Sequence, residues 1–89
     1  MNPKDLIRLQ HMLDYAKSTS GFISGRERTD LDNDIILTLA IMKGIEIIGE
    51  AANNISQETK DKFPQLDWLD IIGMRNRLVH VYFRIGRLN

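Results

Sequence analysis

The most periodic stretch of the chain lies in its middle. Apolar side chains recur at Leu37, Ile41, Ile45, Ile48, Ala52 and Ile55, the three- and four-residue spacing of one helical face. A second row, Ile36, Ala40, Gly44, Ile47 and Ala51, is also apolar, and its small residues let a neighbouring helix come close. Lys43, Glu46, Glu50 and Asn53 form the polar ridge. A helix with so little polar surface is covered on more than one side. It is expected to start at Asp32 or Asn33 and to run to about Ile55.

The flanking segments predict shorter helices around it. Asn2 caps and Pro3 opens a first helix whose stripe is Leu6, Leu9, Leu13 and Ala16. The run "STSGFISG" is expected to stop it, and "RERTDLDND" reads as a polar connection with room for one short turn. Ser56 caps a short helix within "SQETKDKFP" that ends before Pro64. Asp67 then opens the last helix, with Asp70 in its first turn, where negative charge suits the helix dipole. Trp68, Ile71, Ile72, Leu78 and Val79 are expected to face inward. No strand alternation and no repeat stand out. The expected fold is an all-α antiparallel helical bundle, a single domain over residues 1–89.

Composition narrows the classes. A hydrophobic content of 43% in 89 residues supports a folded core near the size where oligomers complete the burial. The absence of cysteine removes disulfides and thiolate metal sites and fits a cytoplasmic setting. "MNPKDLIRLQ" lacks the apolar core of a signal peptide, and "IILTLAIM" is far too short to span a bilayer, so no membrane association is expected. Net charge is zero, yet no acid follows Asp70 while Arg75, Arg77, Arg84 and Arg87 do. Such a basic end attracts a polyanion or an acidic partner face, although cations also settle at helix C-termini for purely local reasons.

Candidate chemistry gathers in the same segment, "RNRLVHVY". Arg75, Val79 and Tyr82 share the apolar face of the last helix, and Asn76 and His80 share another. Arg75 and His80 are five residues apart, about 140° around an ideal helix, so one chain does not aim both at one bond. Two chains packed about a twofold axis would bring them together, as would a break in the helix near His80. An arginine in an apolar stripe needs a partner, either phosphate or a carboxylate such as Glu46 or Glu50. The plainer readings are a salt-bridge arginine, a surface histidine and a core-edge tyrosine. His11 takes the surface reading outright. There is no glycine-rich phosphate loop, no local metal motif and no nucleophile triad, and no cofactor is expected.

"IEIIGEAANNIS", followed by "FPQLDWLDIIGMRNRLVHVYF", resembles the HepT group of HEPN proteins, the toxin half of HEPN/MNT toxin–antitoxin modules. Arg75, His80 and Tyr82 match the family's R-x4-H-x-Y pattern, and Asn76 matches the usual residue after the arginine. The resemblance implies a dimeric ribonuclease that needs no metal, with paired Arg and His residues meeting at the dimer cleft. His80 would be the general acid or base, Arg75 would neutralise transition-state charge, and Asn76 would support them. Arg77 and Arg84 would hold RNA. The implied partner is a small nucleotidyltransferase antitoxin that attaches AMP to the motif tyrosine, here Tyr82. Relatives continue beyond the "HxYF" segment with a further helix, which this sequence lacks after "RIGRLN". The resemblance therefore leaves two readings: an active ribonuclease toxin subunit, or a weakly active dimer that mainly binds the nucleotidyltransferase. Bundle surface left bare by the missing helix would favour self-association.

Overall fold

The structure is a computed structural model that describes residues 1–81, so Tyr82 and Arg84 lie outside the described residues. Five helices occupy the described part: α1 (Pro3–Ile23), α2 (Arg28–Asn33), α3 (Ile35–Asn54), α4 (Gln57–Lys62) and α5 (Trp68–Val79). The fold is all-α. No helix among the described residues is long and apolar enough to cross a membrane.

Helix ends follow their capping chemistry. The Asn2 side chain accepts from the Lys4 N–H at 2.8 Å, with Pro3 in the first helical position. The Ser56 hydroxyl accepts from the Thr59 N–H, and the Asp67 carboxylate from the Asp70 N–H at 3.1 Å. Each cap of this kind is worth about 1 kcal/mol. Two expected boundaries move. Asp32 and Asn33 belong to α2, which is opened by the Asp30 carboxylate accepting from the Glu27 N–H at 2.8 Å, and Asp34 caps α3 by accepting from the Leu37 N–H at 3.0 Å. The Ser18–Ile23 segment does not stop α1 but continues it. The chain turns only at Gly25, whose φ of 76° favours glycine.

That extension has a tertiary cause. Thr19 is buried against α3 at Gly44, where a β-carbon would collide with the Thr19 hydroxyl. The contact holds the second half of α1 on α3 despite its polar sequence. At the other end, Asp5 is fully buried and accepts from the Ser56 N–H (3.1 Å), the Ser56 hydroxyl (2.6 Å) and the Thr59 hydroxyl (2.6 Å). The N-terminus of α1 thus meets the C-terminal end of α3, and the two helices run antiparallel.

Helix α5 packs antiparallel on the opposite flank of α3, with Glu46 beside Arg75 and Thr38, Ile41 and Met42 around Leu78. The buried apolar core is centred on α3: Leu37, Ile41, Ala51, Ala52 and Ile55. The expected inward residues of α5 (Trp68, Ile71, Ile72, Leu78 and Val79) are half-buried rather than buried.

The resulting three-helix layer has two unlike faces. On one, Leu9, Met12, Leu13 and Ala16 of α1 look across Ile45 and Ile48 to Leu66, Ile71 and Met74, lining an open apolar groove of about 400 Å³. Leu9, Leu13 and Ala16 of the expected α1 stripe therefore line this groove instead of a closed core, and Leu6 and Leu13 are about half exposed. The other face carries the polar ridge of α3.

Candidate active site

The candidate residues of α5 lie on the polar face. Arg75, Asn76, Val79 and His80 line one open hollow of about 320 Å³. Arg75 and Asn76 also line a second hollow of about 320 Å³, with Glu46, Gly49, Glu50, Asn53 and Ile72. Arg75 and His80 thus both border the first hollow. The Arg75 guanidinium bends toward Asn76 and donates to its Oδ1 at 3.2 Å, and Asn76 stands one helical turn before His80. The helix widens to π-helical spacing at His80 and Val81, a local unwinding that recurs at functional sites in proteins generally.

Arg75 finds its carboxylate in Glu46, one of the two foreseen. Arg75 Nε lies 3.7 Å from Glu46 Oε2, while Lys43 Nζ lies 3.4 Å from Glu46 Oε1. The Arg75 side chain is 48% exposed, so the pair is worth at most about 1 kcal/mol and the guanidinium is not a buried charge. The sequence places Arg75 at the centre of the inward stripe, but its long side chain reaches the rim and leaves the apolar packing to its neighbours. It is held loosely enough to change partner.

Arg77 is engaged elsewhere. It lies about 200° around α5 from Arg75, and its guanidinium donates to the Asp70 carbonyl at 2.7 Å and approaches the Asp70 carboxylate at 3.4 Å. Asp70 in turn hydrogen-bonds the Asp67 carboxyl, which raises the Asp70 pKa and lowers that of Asp67. The basic end of the sequence is therefore partly countered within the fold, Arg75 by Glu46 and Arg77 by Asp70.

Sequence reasoning missed the Asp5 cluster, whose partners Ser56 and Thr59 lie some fifty positions away. Hydrogen bonds from the Ser56 and Thr59 hydroxyls, together with the Ser56 N–H and the charge of Arg8, hold its pKa down at about 2, against an opposing push from burial. It is a structural lock, remote in the layer from the α5 residues. Among the described residues no three His, Cys, Asp or Glu side chains converge as a metal-binding cluster.

The family description "Ribonuclease HepT-like" matches residues 12–87, which include the whole of α3, α5 and the Arg75–His80 segment. The chain is 35% identical over 78 residues to "Putative RNase TTE0752" of Caldanaerobacter subterraneus subsp. tengcongensis, covering 88% of this chain and 70% of that protein. It is 32% identical over 77 residues to "Putative RNase MJ1380" of Methanocaldococcus jannaschii, covering 86% and 71%. A third relative, "Probable ribonuclease HepT" of Thermococcus cleftensis, is 39% identical over 46 residues, 52% of this chain and 42% of that one. No solved structure matches the chain. The chain belongs to the HepT-like ribonuclease family.

Proposed function

We propose that this single HEPN-like domain, spanning residues 1–89, is a cytoplasmic ribonuclease toxin subunit that cuts RNA without a metal at a cleft between two copies of the chain. The observation that carries the reading is the grouping of Arg75, Asn76 and His80 around one solvent-open hollow, in a segment that the family description matches. His80 takes the proton of a ribose 2′-hydroxyl as its oxygen attacks the adjacent phosphorus. The bond to the 5′-oxygen breaks, that oxygen leaves with a proton taken from water, and a cyclic 2′,3′-phosphate remains. Arg75 of the second copy neutralises the non-bridging oxygens as charge builds on them. To do so it exchanges Glu46, a partner about one-third exposed at 3.7 Å, for the denser charge of phosphate. Asn76 Oδ1 is taken by Arg75, so its amide N–H groups are the ones left for substrate or imidazole. Arg84, and Arg77 on release from Asp70, would hold the flanking RNA.

In the same reading, control comes from a nucleotidyltransferase antitoxin. The Tyr82 oxygen attacks the α-phosphorus of ATP, pyrophosphate leaves, and the AMP added there, seven residues after Arg75 in sequence, brings a negative charge that competes with substrate phosphate.

The test is RNA cleavage by the purified chain with and without EDTA. Wild type should cut in both conditions and leave cyclic phosphate ends, while His80→Ala should lose nearly all activity and keep its fold. Abolition by EDTA would replace this mechanism with metal-dependent hydrolysis. No cleavage at all would favour the second reading, a dimer that mainly binds the nucleotidyltransferase.

A further inference from the structure

The polar face holds more than the α5 hollows. Lys4, Arg8 and His11 recur on α1 at spacings of four and three, so they share one face of that helix. They line a third hollow of about 350 Å³ together with Ile7, Ile47, Glu50, Ala51 and Asn54. Glu50 borders both this hollow and the Glu46–Arg75 hollow, and Arg75 and Asn76 border both of the α5 hollows. Three adjoining depressions therefore cross the whole layer, from α1 over the α3 ridge to His80. Cationic side chains stand at both ends and carboxylates and amides in the middle.

The charges at the α1 end are available. Arg8 is shared with Asp5 at 3.8 Å, a long contact, and its side chain is 35% exposed. Lys4 and His11 are exposed and pair with no carboxylate among the described residues.

We propose that Lys4, Arg8 and His11 form a second phosphate-binding subsite for the same RNA strand whose scissile phosphate sits at Arg75. This rests on the RNA reading above and names where the substrate extends. The pattern suits a single strand better than a duplex. Phosphates sit at the two basic ends, while Glu46 and Glu50 repel phosphate from the middle and can accept from base amino groups. Packed helix axes lie about 8–10 Å apart, so α1 and α5 are separated by up to about 16–20 Å, a span of roughly three nucleotides of extended strand.

The probe is a 2′-O-methyl RNA single strand of about a dozen nucleotides, which cannot be cleaved by 2′-hydroxyl attack, followed by fluorescence anisotropy across a salt series. Lys4→Gln combined with His11→Gln should weaken binding about ten-fold and flatten the salt dependence by roughly 0.7 per lost phosphate contact. Lys4→Arg should bind as wild type. Lys17→Gln, about 220° around α1 from Lys4, should change nothing. Full-strength binding by the double variant, while Arg75→Ala binds weakly, would overturn the α1 subsite and leave the RNA reading standing. An equal loss from Lys17→Gln would overturn it in favour of diffuse charge attraction. Failure of the wild-type chain to bind the probe would overturn both.

Discussion

The two flanks of α3 are built by different rules. On the α1 flank the contacts are buried and specific: a fully enclosed carboxylate with three donors at one end, and a threonine pressed onto a glycine at the other. On the α5 flank no side chain of the helix is fully buried, and its two arginines pair with carboxylates in partly exposed positions. A buried polar contact loses heavily when one partner goes, whereas a half-exposed ion pair loses little. The comparison assigns stability to the α1 flank. It leaves α5, which carries Arg75, Asn76 and His80, free to change partners.

The largest expected effect follows from Asp5. Asp5→Ala leaves the Ser56 and Thr59 hydroxyls and the Ser56 N–H without their acceptor, and should lower the melting temperature more than any other change named below. The same group predicts the acid behaviour. Its pKa falls from an ordinary 3.8 to about 2 in the folded chain, so its carboxylate stabilises the fold above the unfolded value. That contribution fades as pH drops below 3.8 and is gone once pH passes through about 2. A pH titration of melting temperature should show this loss for the wild type and not for Asp5→Asn. An unchanged acid limb in the variant would mean that Asp5 is not the group responsible.

Next in size is the glycine contact. Gly44→Ala adds a β-carbon where the Thr19 hydroxyl sits, and overpacking of this kind costs roughly 1–3 kcal/mol even though alanine favours helix. Thr19→Ala in the same chain should recover most of it. Denaturant unfolding of both variants measures the coupling, and simple additivity would show that the two residues do not meet as described.

These two features also mark where the sequence was readable and where it was not. The α3 stripe and the caps at Asn2, Ser56 and Asp67 were legible because each depends on spacing within a few residues, and Glu46 was legible as a partner because it is one of the two acids on the polar ridge of α3. The continuation of α1 through Ser18–Ile23 was not. A Ser, Thr and Gly run reads as a stop until Gly44 is known to lie against Thr19. Asp5 was equally silent, since an acid in a first helical turn looks ordinary until Ser56 and Thr59 fold onto it. In α5 the angular separation of Arg75 and His80 on an ideal helix follows from spacing alone. What spacing could not supply was the hydrogen bond from the Arg75 guanidinium to Asn76, which borders the same hollow as both residues.

A smaller effect sharpens the other side of the comparison. Arg75→Ala should change unfolding free energy by no more than about 1 kcal/mol, because its ion pair with Glu46 is half exposed. Its effect on RNA cleavage should nevertheless be near total. A large loss of stability in this variant would make Arg75 a structural residue and blur the division between the flanks.

Whether the α5 residues of two copies work as one site is tested most directly by mixing. Arg75→Ala and His80→Ala chains, each inactive alone, are unfolded together, refolded and assayed for RNA cleavage. If Arg75 of one copy serves His80 of the other, half of the dimers formed are mixed and each carries one intact site, so activity should return to about a quarter of wild type. If the mixture stays as inactive as its components while mixed dimers are shown to form, the site belongs to a single chain and the two-copy mechanism is contradicted.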